Sequence, residues 1–362
     1  MLDSILSVIF FLFLCAGIVI GGGFFWRFYY LVKTHEDEIH FISAADGQRL
    51  ALHRYTPSRE AKGFPVVLCH GLGANRHSFD LEGAPSLARY LRDQGADVWV
   101  AELRGSGMSD KPGLFRSDVP CSWGFDDHLH KDVPAIMAAV LEKTGASKLH
   151  WVGHSMGGML IRVAMSDNPE LPLASAVTIG SPVDFSTMRN PRYDAVMRFK
   201  WLIRGCPVFP LALAAGFLAP AAHQVARVLI GAFYPPNIDP FVARRAMAIF
   251  AERVTPSSLW LDFARFIETG VFGPSRRSTY LDVRARSPVP LLVLAGSRDE
   301  MAPVSAVTSS DGPKHAEREC KTLGKEYGTV EDYGHLDLVL GIRASEEVFP
   351  LVWNWILTHN GQ

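Results

Sequence analysis

The sequence has no excess of charge of either sign. Its 362 residues include 36 lysines and arginines against 37 aspartates and glutamates, a formal net charge of −1. Binding to a nucleic acid requires a concentration of basic residues, because the phosphates must be neutralised. We therefore expect no nucleic-acid partner. The chain also lacks internal repeats and low-complexity tracts, and its 48% hydrophobic residues can bury a large core.

Cysteine is scarce and scattered. The chain has five cysteines, an odd number, and none of them forms a CxxC pair. The 13 histidines show neither an HExxH motif nor the clustered spacing of metal ligands. We expect buried thiols rather than a disulfide framework, and no metal or organic cofactor.

Charge is also absent from a long stretch near the N-terminus. Ile5 to Phe25 contains no charged residue, and as a helix it would span about 31 Å, the thickness of a bilayer core. The alternative is a cleaved signal peptide, but Asp3 stands where a basic residue is expected. The sequence also stays apolar where a cleavage site should lie. We predict an uncleaved, single-pass transmembrane anchor.

The residues that follow this stretch predict its orientation. Trp26, Tyr29 and Tyr30 are typical of a membrane interface, and Arg27 and Lys33 lie just beyond them. Because basic residues favour the cytoplasmic side, the prediction places the large remaining domain in the cytoplasm.

Short apolar runs bounded by turn residues recur along the rest of the chain. The segment IHFISAADGQRLALHRYTP is typical of two strands joined around Asp46-Gly47. The runs PVVLCH, ADVWVAEL, KLHWVGHS, ASAVTIGS and VPLLVLAGS are typical of strands buried on both faces, with helical segments between them. Parallel strands need crossover helices, so we predict an α/β protein with a doubly wound, mostly parallel sheet.

The alternation of strands and helices stops between Asp184 and Ser287, in a region rich in Ala, Phe, Leu and Pro. Prolines interrupt its most apolar part, which argues against a second membrane span. We interpret the region as a helical cap inserted into the core. The predicted parts are 1–34 (anchor and linker), 35–183 (first part of the α/β core), 184–287 (cap) and 288–362 (second part of the core).

One serine stands in a pattern with a specific geometric meaning. The stretch WVGHSMGGML places Ser155 between Gly153 and Gly157, after a buried strand and before a helix. This G-x-S-x-G pattern is typical of a nucleophile elbow, a strained turn that exposes the serine hydroxyl. Side chains at the two glycine positions would collide with the neighbouring strand or helix. We predict that Ser155 is a nucleophile and that His154 is a packing residue beneath it.

A serine hydroxyl is a poor nucleophile until a base takes its proton. In a nucleophile elbow protein, an acid and then a histidine follow the serine along the chain. His335 lies after the last predicted strand and fits the general base, and Asp299, just past a late strand, fits the acid that orients the imidazole. Asp184, which follows the strand after the nucleophile, is the alternative acid.

Acyl chemistry also requires N–H donors for the oxyanion. The backbone N–H of Met156, directly after the nucleophile, is the first candidate. The second is the N–H of Leu72, in the sequence His70-Gly71-Leu72-Gly73, whose glycines let the backbone approach the site. We interpret His70 as a residue that stabilises this turn.

The pieces HGLG, ELRGSGMS, GHSMGG, GSRDEMAP and YGHLD resemble, in this order, the α/β-hydrolase superfamily from about residue 39 to 358. The final piece, the DVWVAELRGSG strand and the long apolar insertion look most similar to acid lipases and polyhydroxyalkanoate synthases. Those synthases carry cysteine at the elbow, whereas this chain carries Ser155. The resemblance therefore favours ester hydrolysis over polymer synthesis.

The leading hypothesis is a serine hydrolase that cleaves carboxylic esters with acyl or lipid-like chains through an acyl-serine intermediate. An acyltransferase or a thioesterase could use the same three residues. A dehalogenase would place a carboxylate at position 155. The alternative outside enzymes is a membrane-tethered binding protein without turnover, against which the intact Ser, Asp and His set argues.

Overall fold

The computed structural model describes residues 2–61, 63–111, 122–188, 208–209, 211–225, 231–250, 255–282 and 284–361. Among these, the side chains of residues 2–6, 8, 9, 12, 208, 209, 211–214, 223, 225, 250 and 255 are not described.

Among the described residues, eight strands form one central sheet, and four short strands form two separate pairs. The strands are β1 (Glu38–Ser43), β2 (Arg49–Tyr55), β3 (Val66–Cys69), β4 (Val98–Glu102), β5 (Leu149–His154), β6 (Leu173–Ile179), β7 (Val208–Phe209), β8 (Thr255–Pro256), β9 (Arg286–Ser287), β10 (Leu291–Gly296), β11 (Lys314–His315) and β12 (Arg318–Leu323). The order in the sheet is β1-β2-β4-β3-β5-β6-β10-β12. Within this sheet, the neighbours among β4, β3, β5, β6, β10 and β12 pair in parallel, whereas β2 pairs antiparallel with β1 and with β4. The predicted mostly parallel sheet is confirmed.

Local sequence accounts for the two kinds of strand. The predicted hairpin forms between β1 and β2, and Gly47 takes the positive φ of 80° that its turn requires. β1 alternates between half-buried and exposed residues, as an edge strand does, whereas every residue of β3, β4, β5, β6 and β10 is buried. The continuous apolar runs in the sequence therefore mark the centre of the sheet.

Helices cover both faces of this sheet. The helices are α1 (Leu2–Tyr29), α2 (Leu87–Gln94), α3 (Phe125–Asp127), α4 (Val133–Thr144), α5 (Met156–Asp167), α6 (Leu211–Leu218), α7 (Ala222–Val225), α8 (Pro240–Phe250), α9 (Ser257–Thr269), α10 (Val304–Thr308), α11 (Asp337–Leu340), α12 (Ala344–Glu347) and α13 (Phe349–Thr358). A π-helical turn, His128–Asp132, joins α3 to α4. One buried cluster contains Ile136 and Leu160 of α4 and α5, and the other contains Leu91 and Phe349 of α2 and α13. This two-sided core is that of a doubly wound sheet.

The parallel strands bring distant segments to one edge of the sheet. The segments that follow β3, β5, β10 and β12 all leave at the carboxyl ends of their strands, where open α/β sheets place their sites. The candidate site residues of the sequence lie at the end of β5, at the start of α5, or in the segments that follow β3, β5, β6, β10 and β12.

Between β6 and β10 the main described elements are the helices α6, α7, α8 and α9, together with the short strands β7, β8 and β9. This agrees with the helical character predicted for 184–287. Residues 189–207, which belong to the same region, lie outside the described part.

The N-terminal stretch forms a helix, α1, as predicted. However, within the part of the chain that the structure describes, no helix is both long and apolar enough to cross a membrane. The prediction of a transmembrane anchor is therefore not supported. Several positions of the predicted span, such as residues 5, 6, 8, 9 and 12, have side chains outside the described part.

Of the three aromatic residues predicted to lie at a membrane interface, Trp26 and Tyr30 pack against the inserted region, whereas Tyr29 is 60% exposed. Tyr30 is only 4% exposed and clusters with Ala219 and Ala248, while its ring meets Phe241 edge-on at 5.7 Å. Trp26 packs against the same cluster. The helices of the inserted region therefore cover the end of α1, a long-range contact that the local pattern does not reveal.

Cys15, Cys69 and Cys320 are free cysteines. Burial holds the pKa of the Cys69 thiol far above its usual range, so this thiol stays protonated and unreactive. Cys121 and Cys206 lie outside the described residues.

Candidate active site

The elbow at Ser155 has the geometry that its sequence predicts. β5 ends at His154, α5 begins at Met156, and Ser155 between them has φ 53° and ψ −121°. Among the described residues, Ser155 is the one non-glycine residue with a positive φ. Such a conformation is strained, and it persists because the flanking strand and helix hold it.

The two glycines of the motif are required by close backbone contacts. A Cβ on Gly153 would collide with the backbone of Gly157 and Gly158, at the start of α5. A Cβ on Gly157 would collide with the carbonyl of Cys69, at the end of β3. The helix therefore starts directly against two neighbouring strands, as expected.

His335 and Asp299 form a buried hydrogen-bonded pair. Nδ1 of His335 lies 2.7 Å from Oδ2 of Asp299, and the two residues are 4% and 5% exposed. The second carboxylate oxygen, Oδ1, accepts the backbone N–H groups of Met301 at 2.9 Å and Ala302 at 2.7 Å. With both oxygens accepting, the imidazole donates from Nδ1, and Nε2 is available for other chemistry.

Ser155 and the pair meet at the end of β6. The N–H of Ser155 donates to the carbonyl of Ile179 at 2.9 Å. At the next residue, Gly180, a Cβ would lie 3.3 Å from Nδ1 of His335 and 3.4 Å from Oδ2 of Asp299. No hydrogen bond joins the Ser155 hydroxyl to His335 within the described residues, and in free enzymes this contact is often longer than in the reacting complex.

The alternative acid, Asp184, has a different local role. Its carboxylate caps the short 3-10 helix Phe185–Thr187 by accepting the N–H of Ser186 at 2.9 Å and its hydroxyl at 2.6 Å. Of the two candidate acids, the structure brings Asp299 and not Asp184 to His335.

His154 packs against His335. Its ring centroid lies 4.8 Å from that of His335, and its Nε2 donates to the His335 carbonyl at 3.1 Å. Burial, followed by the nearby His335, lowers the pKa of His154 to about 3. This histidine therefore stays neutral and holds the backbone of the His335 loop.

The loop after β3 passes directly over the serine. A Cβ on Gly71 would lie 2.7 Å from Cβ and 3.2 Å from Oγ of Ser155. His70 donates from Nδ1 to the Gly71 carbonyl at 2.9 Å and accepts the N–H of Leu103 on Nε2 at 3.2 Å. His70 thus ties this loop to the residue that follows β4. Within the described residues, the N–H groups of Leu72 and Met156 donate to no protein acceptor.

Sequence reasoning missed a buried ionic cluster beside this loop. Arg104 donates to Asp132 from Nε at 2.9 Å and from Nη2 at 2.7 Å, and it also reaches Asp46 at 2.8 Å. Asp132 accepts Nδ1 of His128 as well, at 2.8 Å. Arg104 belongs to the piece ELRGSGMS, but its acidic partners lie in other segments of the sequence, so spacing alone could not reveal them.

A second missed cluster surrounds Glu102, at the end of β4. Its buried carboxylate accepts His53 Nε2 at 3.0 Å, Arg76 Nη1 at 2.8 Å and the N–H of Met108 at 2.6 Å. Burial opposes ionisation, but these donors hold the pKa of Glu102 well below its usual range. The cluster fixes the loop after β3 to the sheet.

Asp337, two residues beyond His335, is a buried carboxyl of a different kind. Its Oδ2 accepts the N–H of Gly334 at 2.8 Å and of Tyr234 at 2.6 Å, but Oδ1 has no partner among the described residues. Burial, reinforced by the charge of Asp299, raises the pKa of Asp337 to about 8. Asp337 therefore joins the segment around His335 to Tyr234 of the inserted region.

The segments that meet at this site lie in the part of the chain that matches a known protein family. The profile of the alpha/beta hydrolase fold matches residues 65–341, a range that includes Ser155, Asp299 and His335. The chain therefore belongs to the alpha/beta hydrolase fold family.

Its relatives include lipases. Lipase member K of Homo sapiens is 36% identical over 143 residues, which are 37% of this chain and 36% of that protein. Gastric triacylglycerol lipase of Bos taurus is 32% identical over 146 residues, 38% of this chain and 36% of that protein. The matched part spans about a third of these relatives' length. The names of these relatives support ester hydrolysis at the level of the family.

Solved structures share the fold at lower identity. A hydrolase from Pseudomonas aeruginosa PA01 superposes with a TM-score of 0.55 at 18% identity, covering 91% of this chain and 100% of that one. A thermophilic esterase from Thermogutta terrifontis superposes with a TM-score of 0.53 at 17% identity, covering 89% of this chain and 99% of that one. At such identities the likeness shows the fold alone.

Proposed function

We propose that this protein is a serine hydrolase of carboxylic esters with Ser155 as nucleophile, His335 as general base and Asp299 as the acid that orients it. The observation that carries the proposal is the buried Asp299–His335 hydrogen bond of 2.7 Å, next to a serine held at a positive φ. A fold alone does not imply a reaction, but this set of groups is the one that acyl transfer requires.

In the first half of the reaction, the Ser155 hydroxyl attacks the ester carbonyl and its proton passes to Nε2 of His335. The oxyanion that forms accepts the N–H groups of Met156 and Leu72, each worth about 3 to 4 kcal/mol to the transition state. The alcohol then leaves with the proton from His335, and an acyl-Ser155 ester remains.

In the second half, a water molecule replaces the alcohol. His335 takes a proton from the water as it attacks the acyl carbonyl, and returns it to Ser155 as the acid leaves. Asp299 stays ionised and stabilises the imidazolium in both halves.

We further propose that the acyl chain is apolar beyond the atoms next to the ester carbonyl. A pocket lies beside the loop after β3. Two residues of the inserted region, Pro256 and Leu259, line this pocket, and both are apolar. The lipases among the relatives support an apolar acyl chain at the level of the family.

The test is an assay of the purified protein and of Ser155→Ala against p-nitrophenyl esters from acetyl to long acyl chains. The proposal expects the variant to lose nearly all activity and the wild type to prefer longer chains. Equal rates for both proteins would refute the hydrolase, and a preference for acetyl would refute the apolar acyl portion. Adding an alcohol acceptor shows whether acyl transfer competes with hydrolysis, because transfer yields a new ester instead of acid.

A further inference from the structure

A small pocket lies beside the loop after β3, which carries Leu72, one of the two proposed oxyanion donors. Gly71 and Met156 belong to its lining, so the pocket adjoins the place where the ester carbonyl would bind. Trp123 and Leu259 contribute apolar surface to it. His128 is one of its polar lining residues, and nothing in the proposed mechanism uses this histidine.

The hydrogen bonds of Asp132 determine which nitrogen of His128 carries a proton. Oδ1 of Asp132 accepts two N–H groups of the Arg104 side chain. Oδ2 accepts the backbone N–H of Arg104 at 3.2 Å and contacts Nδ1 of His128 at 2.8 Å. A carboxylate paired with arginine in this way only accepts, so Nδ1 of His128 is the donor.

In the neutral form of the imidazole, the other nitrogen, Nε2, is then the hydrogen-bond acceptor. It has no hydrogen-bond partner among the described residues, although the His128 side chain is only 2% exposed. Nε2 of His128 does not belong to the fully buried polar atoms that lack a partner, so it retains some accessible surface on which a partner can bind. Because His128 lines the pocket, a hydrogen-bond donor on a molecule bound in the pocket can serve as the partner of Nε2.

We propose that His128 determines specificity by accepting a hydrogen bond on Nε2 from a hydroxyl group of the substrate, close to the ester carbonyl. The inference rests on the proposed ester hydrolysis. The hydroxyl belongs to the acyl part or to the alcohol part, and both parts flank the carbonyl. A site that binds a hydroxyl discriminates strongly against an analogue that lacks it, because its own polar atom is left unpaired.

The test uses two pairs of esters that differ only by a hydroxyl in place of a methyl group. Methyl 3-hydroxybutyrate against methyl 3-methylbutyrate tests the acyl part, and 2-hydroxyethyl butyrate against propyl butyrate tests the alcohol part. Release of acid is followed at constant pH. The wild type is expected to prefer the hydroxylated ester of one pair by about tenfold or more in kcat/KM. Equal kcat/KM within both pairs would overturn the inference, while ester hydrolysis itself would stand.

Two variants separate the nitrogen atoms of His128. His128→Asn keeps a donor for Asp132 at the position of Nδ1 but has no atom at Nε2, so it is expected to lose the preference. His128→Gln places an amide oxygen near Nε2 and is expected to retain part of it. His130→Asn, at an exposed position on the same π-helical turn, is the matched control and should behave as the wild type.

The outcome is decided by selectivity rather than by total activity, so a general loss of stability does not imitate it. If His128→Asn keeps the wild-type preference, His128 does not accept a hydrogen bond from the substrate hydroxyl, and the inference is wrong. A preference for a substrate carbonyl or carboxylate at the same position would also contradict the inference, since it requires a donor on Nε2. If none of the esters is hydrolysed by the wild type, the proposed function fails first.

Discussion

Replacing Asp299 by asparagine tests the proposed acid with almost no change of shape. Oδ1 of Asp299 accepts two backbone N–H groups, at 2.9 and 2.7 Å, so the amide of the variant must keep its oxygen there. The amide NH2 then takes the place of Oδ2, 2.7 Å from Nδ1 of His335. Facing a donor, Nδ1 must accept, and the proton moves to Nε2.

This change of tautomer removes the general base, because Nε2 can no longer take the proton of Ser155. In a serine protease triad, the same substitution stabilises the wrong tautomer and lowers kcat about 10⁴-fold, which corresponds to about 5 kcal/mol. We expect a loss of that order for Asp299→Asn, with an unchanged fold.

The assay compares kcat of Asp299→Asn with that of Asp184→Asn on one p-nitrophenyl ester. Asp184→Asn is the control, because its side chain caps a 3-10 helix and makes no contact with His335 among its hydrogen bonds. Circular dichroism checks that both variants are folded. The reasoning is refuted if Asp299→Asn keeps more than about a tenth of the activity, or if Asp184→Asn loses as much.

Two further predictions concern stability. Gly157→Ala pushes a Cβ into the Cys69 carbonyl and should cost about 1 to 3 kcal/mol in urea unfolding, together with most of the activity. Gly21→Ala, with nothing within 4 Å of the new Cβ, should cost nothing, and equal effects would contradict the argument. Asp337 has a pKa near 8 when folded and near 4 when unfolded, so the folded state holds a proton that the unfolded chain releases in between. Stability should therefore fall as pH rises from about 4 to 8, and Asp337→Asn should flatten this part of the melting-temperature profile. Parallel profiles for the two proteins would show that burial of this carboxyl is not the cause.

Patterns between near neighbours in the chain were enough for the fold class and the elbow. Buried strands read as continuous apolar runs, and the glycines around Ser155 reflect contacts within one strand-turn-helix unit. The order of serine, acid and histidine then reduced the candidates to His335 and two aspartates. These features depend on local backbone geometry, which the sequence specifies directly.

Contacts between distant segments were decided by the tertiary structure alone. The choice between Asp299 and Asp184 depends on which strand end meets the His335 loop, and both aspartates follow strands in the sequence. The environment of α1 depends on helices about 200 residues away in the inserted region. The pairing of His128 with Asp132 is local in the sequence. The pocket that His128 lines, however, is built from five separate segments of the chain. Such arrangements follow from packing in three dimensions, on which the spacing of residues along the chain carries little information.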